Sequence, residues 1–491
     1  MARTILPKLL SRVRPTMWVT AERAFAELFF LLLFAIQAPI LGPSAFGLVT
    51  AVMVFVAFWE GVPGHAITEA LLSIRQIEER HFTTVTTTAV VLCLLFGAAI
   101  FGFAEPLARA FGTAELASIM RVMAILPLIH AFSIAPLAAA QREMRFQSTT
   151  LRTIASLTAG GVTGLVLALM GAGVWALVWQ AIVQRIVAVV VLWLAVPIPL
   201  GFAVSSRHFR EVASFALPVM LSRVMGWASG QLPRLILGLY LGTADLGLFS
   251  LASRLNAIVN GVAIGPKATV ARVDLRRFAN APAPLANAVR GMFLHLSVLG
   301  YPACIGGAAI APTLFHAWLD SRWYGAIVPS QLMLLSCAPY VTFYGSTALL
   351  YALNLMNVEA GLTTALSLGG VLAIVIGAPF GLVAASAGIA AFAAAVVPLP
   401  LLVIHRRCGL GMRDILLPQV PAFIASCGMG IAVSVLRLRL EAANIPYALA
   451  LCLELAAGAA SFGGLLLLLM PAPADRLRRY LRTVAPDPNR G

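Results

Sequence analysis

Apolar stretches of about 20 residues recur along the whole chain, divided by short polar junctions. A helix of that length spans the ~30 Å hydrocarbon core of a bilayer at 1.5 Å rise per residue. The pattern predicts an all-α polytopic membrane protein with about 14 transmembrane helices. The first eight fall near 20–41, 44–69, 84–103, 115–138, 150–171, 173–196, 212–241 and 244–264. The other six fall near 290–310, 327–354, 360–378, 381–404, 416–437 and 446–470. A transmembrane barrel would show shorter segments of alternating polarity. The junctions LGPSAFG, LMGAGVW and GAPFGLV carry the Gly or Pro expected of tight connections.

One junction is written twice. LGPSAFGLVT at 41–50 joins spans 1 and 2, and LGTADLGLFS at 241–250 joins spans 7 and 8. Leu41, Gly42, Gly47 and Leu48 recur as Leu241, Gly242, Gly247 and Leu248. A weaker echo places Pro106 after span 3 and Pro312 after span 9. Six spans separate equivalent points, and an even offset leaves both copies in the same orientation. The expectation is a parallel pseudo-two-fold repeat about an axis along the membrane normal. Residues 1–205 form one six-helix lobe and 206–405 the other, with two extra C-terminal helices over 406–470 and a tail over 471–491. Two lobes with a cleft between them is a carrier plan.

Composition excludes a soluble protein. The chain has 491 residues, is 60% hydrophobic and 11% charged, and has a mean hydropathy of +0.94, more apolar surface than a soluble fold can bury. The net charge of +15 invites a nucleic-acid reading. Its distribution argues otherwise. With a cytoplasmic N-terminus, 25 of the 34 Lys and Arg gather at the cytoplasmic ends, loops and tail. That is the positive-inside signal, so both termini are expected in the cytoplasm and the basic face meets anionic membrane lipids. The opening MARTILPKLLSRVRPTMW has no cleavage site and is expected to be a cytoplasmic lead-in. The loop 265–290 and the tail are expected to lie on the membrane as short basic helices. The six cysteines form no CxxC pair, and all but Cys408 lie in apolar runs, where a thiol is a small hydrophobe.

Charge within the spans is the candidate chemistry. An arginine at the bilayer centre costs about 2.5–3.5 kcal/mol on insertion scales, so it faces a cavity or a partner. Arg185, Arg234 and Arg254 lie roughly 10–20 Å below the outer ends of spans 6, 7 and 8, and Arg223 lies deeper. Lining a cavity, they would grip an anion, because a guanidinium offers phosphate a planar bidentate donor set. Snorkelling for Arg223 and ion pairs for the others are the competing roles. Pro233 is expected to kink span 7 beside Arg234. Glu27 and Glu60 are candidate partners for these arginines, or carriers of a coupling proton, and Glu454 a packing residue. Gln180, Gln184, Gln231, Asn256 and Asn260 offer neutral groups to sugar hydroxyls or to neighbouring helices. His65, His130 and His295 are isolated, and the chain has no P-loop and no Gly-x-Ser-x-Gly, so neither a metal, a cofactor nor enzyme chemistry is expected.

Four phrases, in order, resemble the Wzx-type polysaccharide transporters, in the superfamily that also holds multidrug/toxin extruders and lipid II flippases. They are LGPSAFGLVT, AAAQREMRF with its Gln-x-x-Met-x-Phe pattern, GAGVWALVWQ, and LGLYLGTADLGLFSLASRL. The resemblance implies a flippase of the bacterial inner membrane. Its substrate would be an oligosaccharide on a polyprenyl diphosphate, moved to the periplasmic leaflet by alternating access between the lobes. A polysaccharide polymerase and chain-length or export proteins would be its partners. Members often carry an Asp near the end of span 7 where this chain has Pro233, so ion coupling through that acid is not implied here. Three rivals make different demands. A cation-coupled multidrug exporter of the same superfamily calls for acids in the cleft, and a membrane polysaccharide polymerase or ligase calls for a large external loop. A structural partner in an export complex would tolerate loss of the intramembrane arginines.

Overall fold

The computed structural model describes residues 15–470, apart from 197, 199, 200, 202, 279–281 and 409. Every regular element among the described residues is a helix. The first part holds α1 (Pro15–Trp59), α2 (His65–Ser73), α3 (Glu79–Ala110), α4 (Glu115–Met123), α5 (Leu126–Arg142), α6 (Phe146–Leu169), α7 (Trp175–Ala195) and α8 (Ser206–Val259). Then come α9 (Gly265–Arg276), α10 (Pro282–Tyr301), α11 (Gly307–Trp318), α12 (Ile327–Leu335), α13 (Cys337–Ala352) and α14 (Met356–Gly377). The last are α15 (Leu382–Val396), α16 (Pro398–Cys408), α17 (Met412–Leu416), α18 (Val420–Ala442) and α19 (Tyr447–Leu469). The expected basic helix of the tail and the lead-in before residue 15 lie outside the described residues.

Twelve stretches among the described residues are long and apolar enough to cross a bilayer. Their outward side chains are those lipid would solvate: Leu194 is 81% exposed and Phe103 68%. Two stretches, Phe25–Ser73 and Ser206–Ile264, are far longer than one crossing needs. Each is two helices joined at a glycine with positive φ: Gly42 at φ 74°, ψ 170° and Gly242 at φ 83°, ψ −176°. A side chain there would strain the backbone, which is why both copies of the phrase keep glycine. The backbone of α8 keeps helical dihedrals through Pro233, beside which a kink was expected, and leaves the helical region at Gly242.

The repeat extends beyond the phrase. A π turn at Glu60–Gly64 follows Gly42, and a π turn at Asn260–Ile264 follows Gly242. Both lead directly into a further helix, α2 and α9. Break, helix, π turn and helix therefore recur in the same order and at the same spacing.

The chain forms two compact units, 1–250 with 374–382, and 251–373 with 383–491. In the first, one apolar core gathers Leu48, Val52 and Val56 of α1 with Leu116, Ile119 and Met120 of α4 and Val178 of α7. α6 and α7 meet through Gly160 and Gly164, whose bare faces accept Gln184 and Gln180. Such small-residue notches bring membrane helices into contact where lipid offers no hydrophobic driving force.

Two polar devices tie this unit together. Arg142 Nη1, at the end of α5, donates to the carbonyl oxygens of Leu71 and Ile74, both at 2.7 Å. It caps the open C-terminus of α2, whose last carbonyls have no helical partner. Arg142 is thus part of a structural joint as well as a basic charge of the topology signal. We expect Arg142→Ala to lower stability by about 1–3 kcal/mol. An unchanged melting temperature in detergent would show that the cap is idle. The second device joins the starts of α3 and α8. His81 Nδ1 accepts the Glu78 backbone N–H at 3.0 Å and its Nε2 lies 3.0 Å from Glu211. His208 Nε2 lies 3.2 Å from Glu78, and the two buried imidazoles meet edge to face at 4.3 Å.

In the second unit, Ile264, Ala268, Ala271 and Leu275 are buried along one face of α9 and the turn before it. The 265–290 segment is therefore not a helix lying free on the bilayer. It continues the preceding span and packs on α13, because its apolar residues recur at helical spacing between the basic ones. Glu454 of α19 is fully buried and accepts from Thr313 Oγ1 of α11 at 2.7 Å, a packing role within the chain.

Candidate functional site

A cavity of about 720 Å³ lies within the first unit between two helical stripes. Ala57, Gly61, His65 and Glu69 form one, each four residues after the last, with Glu60 beside them. Val219, Arg223, Trp227 and Gln231 of α8 form the other at the same interval, flanked by Ser222 and Gly226. Four-residue spacing keeps side chains on one helical face. The π turn at Glu60–Gly64 is wider than an α turn, so Glu60 and Gly61 both reach the cavity, and such turns recur at functional positions. Trp227 forms a fixed wall: its indole N–H donates to the Val54 carbonyl oxygen at 3.2 Å and its ring meets Phe58 edge to face at 5.0 Å.

The charged groups come in opposed pairs. Arg223 is ion-paired with Glu69. Arg185 reaches from α7 to Glu60 at 2.7 Å. These side chains are 26% and 22% exposed, so the pair is largely out of water and each charge depends on its partner. Arg234 Nη1 donates to Gln231 Oε1 at 3.0 Å, which holds that amide against the cavity. Buried groups without a hydrogen-bond partner remain beside the Arg185–Glu60 pair, Arg185 Nε and His130 Nδ1. His130 packs on Gly64 of the π turn, where a Cβ would come within 2.8 Å of its ring.

The structure therefore brings Arg223, Glu60 and Gln231 to the cavity wall. It sets Arg185 behind Glu60 and Arg234 behind Gln231. The remaining candidates lie elsewhere. Glu27 is half-buried on α1 and does not line the cavity. Gln180 accepts from the Gln37 amide at 2.9 Å and Gln184 covers Gly160, both in helix seams. Arg254 and Asn256 belong to the second unit, where Asn256 donates to the Met333 carbonyl oxygen at 2.6 Å and to Ser336 Oγ at 3.1 Å. Sequence reasoning missed Glu69, Trp227 and Ser222, and read His65 as isolated. The signal was present in the four-residue interval from Ala57 to Glu69 and from Val219 to Gln231.

The fold is that of multi-pass membrane transporters. The structure "Lipid II flippase MurJ, inward closed conformation" superposes with a TM-score of 0.72 at 12% identity, over 94% of this chain and 99% of that one. An inward-facing multidrug resistance MATE family transporter of the MOP superfamily gives 0.60 at 15% identity, over 78% and 94%. Residues 36–328 match the family described as polysaccharide biosynthesis protein, more than half of the chain, and the chain belongs to that family. The resemblance carried by the sequence phrases is borne out in family and fold. Among curated relatives, the succinoglycan biosynthesis transport protein ExoT of Rhizobium meliloti (strain 1021) is 26% identical over 325 residues. That alignment spans 64% of this chain and 66% of the relative's length.

Proposed function

We propose that this protein flips a polyprenyl-diphosphate-linked oligosaccharide from the cytoplasmic to the periplasmic leaflet of the bacterial inner membrane, for surface polysaccharide biosynthesis. The observation that carries this reading is the cavity whose wall carries Arg223, held by Glu69, and Glu60, held from behind by Arg185. Membership of a polysaccharide biosynthesis family and the likeness to a succinoglycan transport protein support the substrate class. The two stretches broken at Gly42 and Gly242 count as two crossings each. That makes fourteen crossings, with both termini on the positively charged cytoplasmic side. Spans 1–6 over 1–205 and spans 7–12 over 206–405 then rock about the repeat axis, and spans 13 and 14 stand outside it.

The ion pairs give the cycle a chemical logic. An empty cavity with bare guanidinium groups would be costly inside a membrane. Glu69 and Glu60 neutralise them between cycles. A diphosphate displaces the carboxylates and takes bidentate hydrogen bonds in their place. Ser222, Gln231 and the Trp227 ring supply hydroxyl, amide and stacking surface for the first sugar, while the polyprenyl chain stays in lipid. The product then passes to a polysaccharide polymerase and its chain-length or export partners.

Deleting the gene should strand the lipid-linked oligosaccharide in the inner leaflet, protected from periodate applied to spheroplasts, and the intact gene should restore access. Undiminished surface polysaccharide in the deletion strain would refute the assignment. The acids Glu60 and Glu69 favour one second reading, a cation-coupled drug exporter. That reading requires drug sensitivity on deletion, which we do not expect because each acid is already neutralised by an arginine.

A further inference from the structure

The two copies of the repeated phrase touch each other, and they do so reciprocally. Gly47 lies against Thr243 and Gly247 against Pro43. A Cβ on either glycine would overlap the facing carbonyl oxygen, and one on Gly47 would also come within 3.0 Å of the Gly247 nitrogen. About one turn further on, Ser250 Oγ donates to Thr50 Oγ1 at 3.1 Å. Shifting any residue of one copy to its equivalent in the other turns this set of contacts into itself. Position 43 meets 247 and 47 meets 243, while 50 meets 250. That is a local two-fold contact, built by the sequence repeat and lying within the first unit.

Its chemistry is that of a seal which can part. Two buried glycines let the backbones approach where any side chain would hold them off. The breaks at Gly42 and Gly242 aim the helices into the contact. Among the hydrogen bonds and ion pairs across it, the Thr50–Ser250 bond joins side chains of both copies and no ion pair is present among the described residues. Separation therefore strands no charge, and smooth backbone surfaces can meet again in register. Near its N-terminal end α8 is joined to α3 by the His81–Glu211 and His208–Glu78 pairs.

We propose that the paired LG-x-x-x-x-G phrases are the external gate of the transport path, closed by Gly47 and Gly247 and parting when the cavity opens to the periplasm. The word "external" rests on the membrane orientation proposed above.

Two measurements test it. In a Thr50→Cys/Ser250→Cys variant, mild oxidation of spheroplasts should form a disulfide, identified by peptide mass spectrometry. Polysaccharide export should fall at least tenfold and return on reduction, with either single cysteine unaffected. A fully oxidised protein that exports at the unmodified rate overturns the gate. Separately, Ser222→Cys reports cavity access to a membrane-impermeant maleimide applied from outside. Adding Gly247→Val should raise its labelling severalfold, and unchanged labelling overturns the gate. The labelling needs no substrate. A wrong substrate class would leave it intact, and a wrong gate would leave the dependence of polysaccharide export on the gene intact.

Discussion

Replacing Arg223 by glutamine should lower polysaccharide export roughly ten- to hundredfold, whereas Glu69→Gln should cost far less. Both changes break the same ion pair, so a purely structural role predicts equal losses. The proposed cycle predicts unequal ones, because the carboxylate only guards the guanidinium between turnovers. Hydrogen bonds to a charged group contribute about 1.5–3 kcal/mol each, which sets that range. Stability is separated from transport by a third variant, Arg223→Met/Glu69→Leu. The two side chains are partly exposed to the cavity, at 36% and 41%, so losing the pair costs little stability. The double variant should keep its melting temperature and still fail to export. If it exports at the parental rate, Arg223 does not bind the diphosphate.

Collapsing the membrane potential should slow flipping about tenfold or more in proteoliposomes loaded with lipid-linked oligosaccharide. Moving one charge across 100 mV is worth about 2.3 kcal/mol, and a diphosphate carries about two negative charges. Outward movement of an anion follows an inside-negative potential, so roughly 4–5 kcal/mol is available without any ion antiport. The end of span 7 carries Pro233 beside Arg234 and no acid between Arg223 and Gly242, which fits a carrier driven by the field. Flipping at an unchanged rate in depolarised vesicles, with sodium and proton gradients absent throughout, would refute this.

Most of the helix plan was legible in the sequence. The turns expected between spans 1 and 2 and between 7 and 8 fall at the glycines where the backbone leaves the helical region, Gly42 and Gly242. Several helices run longer than their apolar cores, as with α3, which begins at Glu79 and ends at Ala110 where the pattern gave 84–103. Polar first and last turns project past the hydrocarbon and leave no hydropathy signal. The candidate site was legible only in part. Arg223, Glu60 and Gln231 were found because polar groups at bilayer depth are conspicuous. Arg185 was also found, and Glu60 was expected to pair with an arginine, but which arginine was not legible because the two lie 125 residues apart. Glu69, 154 residues from Arg223, was missed.

By itself the sequence determined that the chain crosses the membrane many times as helices, and that it repeats itself. The reason is local: inside lipid each segment must satisfy its own backbone hydrogen bonds, so apolar length alone dictates a helix. Only the tertiary structure decided which polar groups meet. Lipid is as apolar as leucine, so hydropathy says nothing about which helix faces which. Notches such as Gly160 and Gly164, the Arg142 cap and the glycine-to-carbonyl contacts made that choice. They turned a phrase written twice into a single joint.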